Sequence, residues 1–75
     1  MYEIYGTTNC TFCDKAKQLL TQHDKDYTFI DVAEDEDITA AFFKRFPGVR
    51  TVPQIVVDDE HIGGYYDLEK RLTFA

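Results

Sequence analysis

Apolar and polar positions change their spacing several times along this chain, which predicts short strands alternating with helices. Residues 2–5 are rich in aromatic and β-branched types that favour a strand, and the turn-prone residues 6–9 follow them. From Thr11 onward, apolar side chains recur at helical spacing, which predicts a first helix with Asn9 or Cys10 at its cap position. The predicted apolar face of this helix comprises Phe12, Ala16, Leu19, Leu20 and His23.

The next two elements continue this alternation. Residues 27–32 are a second strand candidate, and the strand, helix, strand order implies a right-handed crossover between parallel strands. Acidic residues at 34–37 favour the start of a second helix, which Pro47 and Gly48 end. The predicted apolar stripe of this helix comprises Ile38, Ala41, Phe42 and Phe46.

The last third of the chain is predicted to be a hairpin followed by a helix. Residues 54–57 and 61–62 favour short antiparallel strands around a turn at 58–60. A third helix is predicted from three residues that share one helical face: Tyr65, Leu68 and Leu72. The order β-α-β-α-β-β-α gives a four-stranded mixed sheet flanked by three helices, which matches the thioredoxin-like α/β architecture.

Composition adds that the chain is small and acidic. With 75 residues, 44% of them hydrophobic, and with five Tyr and six Phe, residues 1–75 are expected to form one domain with an aromatic core. Eight basic against fourteen acidic residues give a net charge of −6, which repels nucleic acid and anionic membranes at long range. Neither is an expected partner.

Export signals are missing from the sequence. The first residues show neither a basic n-region nor an apolar h-region, and no apolar run approaches the ~20 residues of a membrane span. Two cysteines are too few for a disulfide-stapled secreted scaffold. We therefore expect a cytoplasmic protein, and the C-x-x-C spacing of its cysteines points to redox or metal chemistry.

Cys10 and Cys13 stand where the first strand hands over to the first helix. Only a thiolate attacks a disulfide, and the unpaired N–H groups at a helix N-terminus stabilise a thiolate electrostatically. Cys10 is placed to benefit, and Cys13, about one helical turn further in, can reach it. The prediction is that Cys10 is the nucleophile and Cys13 the resolving cysteine.

Two other interpretations of the cysteine pair are weaker. The cysteines could be half of a zinc site that His23 and His61 complete. The gap between these two histidines, however, does not resemble the H-x(3–5)-H spacing of zinc sites. Two inert buried cysteines are also conceivable, but a strand-to-helix loop is an unusual place for them. No metal ligands are predicted.

Four segments in order carry a specific resemblance: residues 10–13 (CTFC), 16–20 (AKQLL), 51–55 (TVPQI) and 63–67 (GGYYD). Together they resemble the glutaredoxin family over the whole chain. The resemblance implies a glutathione-dependent thiol-disulfide oxidoreductase that carries no bound cofactor, uses glutathione as reductant, and acts on protein disulfides and glutathione mixed disulfides. It also implies service as an electron donor to enzymes such as ribonucleotide reductase, and we expect a monomer.

The resemblance further implies a glutathione groove beside the cysteines. Pro53 matches the family's cis-proline, which exposes the backbone of Val52 to an extended peptide, and Asp67 matches the residue that holds the γ-glutamyl end. An ordinary strand-starting proline and a first-turn acidic residue are the alternatives. The residues assigned to the groove are Phe12, Arg50, Thr51, Val52, Pro53, Gly64, Tyr65, Tyr66 and Asp67.

Several positions depart from the family pattern. Thr11 replaces the usual proline between the cysteines, and Thr7 replaces a basic residue that binds the glycine carboxylate of glutathione in many members. Arg50 either supplies that charge or is solvated. Tyr66 replaces a small hydroxyl residue, and it either stacks on glutathione or obstructs the groove.

The sequence leaves three rival functions, and the departures at Thr7 and Thr11 favour only the first. A redoxin recycled by thioredoxin reductase is the nearest one, although Asp67 argues against it. A second is an iron-sulfur module in which glutathione and the Cys10 thiolate share a cluster between two copies. A pure interaction module has no need of a paired thiol at a helix start.

Overall fold

The computed structural model of the protein describes residues 1–74 and contains seven regular elements. In chain order these are β1 (Tyr2–Gly6), α1 (Thr11–Gln22), β2 (Tyr27–Asp31), α2 (Glu36–Arg45), β3 (Gln54–Val57), β4 (Glu60–Gly63) and α3 (Tyr65–Phe74). The predicted order β-α-β-α-β-β-α is confirmed, as is the four-stranded mixed sheet with three helices. No helix within residues 1–74 has the length and apolar character needed to cross a membrane.

The sheet has the strand order β2-β1-β3-β4. β1 and β2 are parallel, as the crossover through α1 requires, whereas β3 is antiparallel to both β1 and β4. Asp58 and Asp59 connect β3 to β4 with φ angles of 48° and 69°. Positive φ at both central residues is the geometry of a two-residue type I′ hairpin turn, and Asp tolerates it better than most residues do.

The helices lie on both faces of the sheet. Side chains alternate along β3, so neighbouring residues of this strand contact helices on opposite faces. Ile55 belongs to one buried cluster with Ala16 and Leu20 of α1 and Leu68 of α3. Val56 belongs to a second cluster, which also holds Val32, Phe42 and Phe46. Thus α1 and α3 cover one face and α2 the other.

Three members of the predicted apolar stripes are exposed, contrary to the prediction: Phe12 of α1, Ala41 of α2 and His23. Ala41 is exposed because Phe42 is the residue of α2 that is buried against the sheet. Phe46 is also buried, but it is the C-cap residue of α2. His23 is the exposed C-cap of α1 and does not belong to its buried face. The short loops before α1 and α3 place the ends of these helices beside the segment that precedes β3, where the candidate site lies.

Candidate functional site

The cysteine pair lies at the N-terminus of α1. Cys10 is the N-cap residue, with the extended backbone angles φ −125° and ψ 108° that a cap adopts, and Cys13 lies in the first turn. The two form a disulfide with a Cα–Cα distance of 5.2 Å. The backbone N–H of Cys13 donates to Cys10 Sγ over 3.1 Å. An N–H aimed at this sulfur also stabilises the negative charge of a thiolate in the reduced state.

The two sulfur-bearing residues differ in exposure. Cys13 is completely buried (0% exposed), whereas Cys10 is half-buried at the surface. Gly6, the last residue of β1, packs directly against Cys13, and a Cβ atom at this position would overlap Cys13 Sγ. A disulfide brought by another molecule therefore meets Cys10 first.

The segment that precedes β3 runs past Cys10. The carbonyl oxygen of Val52 lies 3.8 Å from Cys10 Sγ, and the Val52–Pro53 peptide bond is cis, as the family resemblance implies. The register between β1 and β3 ends with the pair Tyr5 and Gln54, so Val52 lies beyond the ladder. Its backbone is available to pair with an extended peptide beside the sulfur.

The start of α3 forms the opposite side of the site. Leu68 N–H donates to the carbonyl of Gly64 over 3.1 Å, which makes Gly64 the cap residue of the helix. The Asp67 carboxylate in turn accepts a hydrogen bond from Gly64 N–H over 3.0 Å. This hydrogen bond is one half of a capping box, since Gly64 has no side chain to supply the other half, and it gives Asp67 a structural role in the first turn of α3.

These three segments enclose a groove of about 220 Å³ beside the cysteines. Eight of the nine residues predicted for the glutathione groove line it: Phe12, Thr51, Val52, Pro53, Gly64, Tyr65, Tyr66 and Asp67. The ninth, Arg50, is exposed and does not line the groove. Among the lining residues, Asp67 is the charged side chain.

One wall of the groove is aromatic. The ring of Phe12 lies 5.7 Å from each of the rings of Tyr65 and Tyr66, centroid to centroid, and the two tyrosine rings are 5.3 Å apart. Phe12 is 38% exposed and Tyr66 is 63% exposed, so this wall is open to solvent. The Lys15 ammonium stacks over Phe12, with Nζ 4.8 Å from the ring centroid. Tyr66 thus forms part of the wall of the groove.

The hydroxyl of Tyr65 lies 3.5 Å from a carboxylate oxygen of Glu69, one helical turn later. Burial, and then the negative charge and hydrogen bond of Glu69, raise the pKa of Tyr65 above its ordinary value of 10.0. The phenol therefore stays neutral through the physiological range and presents a hydrogen-bonding group without charge.

The chain is similar in sequence to known glutaredoxins. The sequence model of the glutaredoxin family matches residues 2–62. Glutaredoxin 1 of Rickettsia conorii is 38% identical over 72 residues, which cover 91% of this chain and 71% of that protein. The chain belongs to the glutaredoxin family. The Cys10–Cys13 pair lies within the matched residues, and the chain is a thiol-disulfide oxidoreductase.

A solved structure and a second curated protein are also similar to this chain. The crystal structure of a buckwheat glutaredoxin–glutathione complex matches with a TM-score of 0.78 at 31% identity, over 93% of this chain and 66% of that one. A hybrid peroxiredoxin of Haemophilus influenzae, hyPrx5, is 43% identical over 67 residues. This chain spans only 27% of hyPrx5, so the similarity concerns one part of that protein.

Gln54 and His61 lie near the site and contact each other, which the sequence did not predict. Gln54, at the start of β3, is 7% exposed and donates from Nε2 to the Thr51 carbonyl over 2.9 Å. His61 of β4 lies 2.7 Å from the Gln54 side-chain oxygen. A polar residue at the head of the apolar run QIVV was the available signal. The zinc arrangement with His23 is not formed, since residues 1–74 hold no group of three side chains suited to a metal ion.

Proposed function

We propose that this glutaredoxin reduces protein disulfides and glutathione mixed disulfides, with glutathione as its reductant. The Cys10 thiolate attacks one sulfur of the target disulfide and the other sulfur leaves as a thiolate. The Cys13 thiolate then attacks the Cys10 sulfur, which releases the reduced target and leaves the Cys10–Cys13 disulfide. Two glutathione molecules reduce that disulfide, and oxidised glutathione leaves. Each cycle moves two electrons from glutathione to the target.

The observation that carries this proposal is the convergence of three segments beside Cys10. An exposed backbone edge at Val52, a helix N-terminus at Gly64 and a carboxylate at Asp67 all face one groove. A short peptide with an amine, a carboxylate and a central cysteine satisfies all three when its sulfur bonds to Cys10. Glutathione has this chemistry.

The groove residues have distinct proposed roles. Asp67 holds the α-amino group of glutathione through the oxygen that does not accept from Gly64 N–H. Val52 pairs with the cysteine residue of the ligand through its backbone. Phe12, Tyr65 and Tyr66 cover the apolar side of the ligand as one aromatic wall. Arg50, outside the groove lining, steers the glycine carboxylate over a longer range.

The partners follow from the same chemistry. A protein reduced by glutathione belongs in a reducing compartment, which favours the cytoplasm, and its targets are enzymes whose cycle leaves a disulfide behind. Ribonucleotide reductase is one such class. Similarity to part of a hybrid peroxiredoxin favours a peroxiredoxin as another. We propose that residues 1–75 form one domain that acts as a monomer.

The test is glutathione-dependent reduction of a small mixed disulfide, coupled to glutathione reductase and NADPH. We expect activity for the wild type, none for Cys10→Ser, and retained activity for Cys13→Ser, because a glutathione mixed disulfide needs only the nucleophile. A second arm replaces glutathione with thioredoxin reductase. Turnover in that arm alone supports the redoxin alternative and removes the proposed roles of Tyr66 and Asp67.

A further inference from the structure

Gln54 makes three polar contacts although it is 7% exposed. Its Nε2 lies 2.9 Å from the Thr51 carbonyl oxygen and 3.3 Å from Thr51 Oγ1, and its Oε1 lies 2.7 Å from His61 Nε2. Buried amides are costly unless satisfied, so this side chain is held in one orientation. It reaches back from β3 to the segment that borders Cys10.

The donor and acceptor roles in this chain of contacts are fixed. The Thr51 carbonyl can only accept, so the Gln54 amide nitrogen must face it and the Gln54 oxygen must face His61. His61 Nε2 therefore carries a proton and donates it. The His61 ring also packs against Phe46, with centroids 4.6 Å apart, which anchors the donor to the buried cluster of α2.

Thr51 and Val52 line the groove and lie next to each other in the chain. We propose that Gln54, backed by His61, is a positioning residue that holds the Thr51–Val52 backbone at the distance from Cys10 where a peptide disulfide can pair with it. Because Gln54 donates to Thr51 Oγ1, the hydroxyl proton of Thr51 is left to donate to a carboxylate or carbonyl of the ligand. This inference rests on the proposed function. It assigns the protein's preference for peptide disulfides to Gln54 and His61.

The role predicts a selective effect. Disulfides that carry peptide groups use the backbone of Val52, whereas a disulfide without them needs only the Cys10 sulfur. Gln54→Met approximately keeps the volume of the side chain and removes its hydrogen bonds to Thr51 and His61. His61→Phe keeps the ring against Phe46 and removes the proton donor.

The experiment measures single-turnover oxidation of the reduced protein by oxidised glutathione and by 2-hydroxyethyl disulfide, with alkylation quenching and mass spectrometry. For Gln54→Met we expect a loss of about tenfold in the rate with oxidised glutathione and a change below about twofold with 2-hydroxyethyl disulfide. His61→Phe should lower the first rate by about threefold. The double variant should match Gln54→Met alone, because His61 acts through Gln54.

Gln18→Met is the matched control, since Gln18 is exposed on α1 and away from the groove lining. It should leave both rates unchanged. Equal losses with both disulfides in Gln54→Met, or a lowered melting temperature with neither rate altered, would show a merely structural role and overturn the inference. A wild type without preference for oxidised glutathione overturns the proposed function and the inference together, so the two failures are distinct.

Discussion

The backbone of Gly6 packs so closely against Cys13 that a Cβ atom at Gly6 would overlap the buried sulfur. The same Cβ would lie 3.2 Å from Cε1 of Phe29, so there is no room for a side chain towards Phe29 either. The end of β1 therefore limits the space that the Cys13 side chain occupies.

Gly6→Ala should destabilise the protein by about 1–3 kcal/mol, since overpacking a tight site forces neighbours to shift. Urea unfolding of the reduced protein measures this cost. The sharper test is Gly6→Ala in a Cys13→Ala background, where the sulfur is gone and the new methyl group fills its space. The cost of Gly6→Ala should fall below about 1 kcal/mol there. Equal costs in both backgrounds would show that the sulfur is not what Gly6 accommodates.

The difference in burial between the cysteines predicts selective alkylation. In the reduced protein iodoacetamide should modify half-buried Cys10 at least about tenfold faster than Cys13, which is 0% exposed, because a buried thiol is hard to reach. Mass spectrometry of proteolytic peptides after timed quenching gives both rates. In urea the two rates should converge. Faster labelling of Cys13 under native conditions would reverse the assignment of nucleophile and resolving cysteine.

Sequence alone predicted the helices and strands because these depend on local signals, and the resemblance to glutaredoxins implied most of the residues that line the groove. The strand and helix periods, the turn residues and the spacing of Cys10 and Cys13 are all legible along the chain. The motifs that contain Pro53 and Asp67 carried the resemblance, and both residues line the groove. Their roles in binding glutathione stay predictions.

Residues whose role depends on direction or on distant neighbours could not be predicted. Arg50 adjoins a groove segment, yet nothing in the sequence states which way an exposed side chain points. Gln54 and His61 are seven residues apart in the chain, and their side chains are in contact only because β3 pairs with β4. Gly6 looked like an ordinary turn glycine, and its contact with Cys13 exists only after α1 packs on β1.

The two neighbouring glycines before α3 should respond differently to alanine. Gly63 has a φ of +118°, and its Cβ would overlap the Asp67 carboxylate, whereas a Cβ on Gly64 meets only the Pro53 carbonyl oxygen at 3.5 Å. Gly63→Ala should cost about 2–4 kcal/mol from backbone strain and from loss of the Asp67 cap. Gly64→Ala should cost less than about 1 kcal/mol.

Thermal and urea unfolding of both glycine variants provide the comparison. Asp67→Ala alone measures the loss of the cap, and Asp67→Ala combined with Gly63→Ala adds the strained φ without the overlap. The double variant should therefore be less stable than Asp67→Ala alone, by the cost of the backbone strain. Equal stabilities of the Gly63→Ala and Gly64→Ala proteins would contradict the geometry assigned to this turn.

The raised pKa of Tyr65 predicts how the groove behaves at high pH. Burial and then the Glu69 carboxylate disfavour the phenolate, so Tyr65 should ionise above its ordinary value of 10.0. A folded pKa above the unfolded one gives stability that is complete below the unfolded pKa and is lost as pH rises through the folded value. Tyrosinate absorbance, taken as wild type minus Tyr65→Phe, isolates this titration. Glu69→Gln should shift it towards the ordinary value because it removes the carboxylate charge, whereas Glu36→Gln, on distant α2, should not. A difference titration centred at or below the ordinary value would contradict the environment assigned to this wall of the groove.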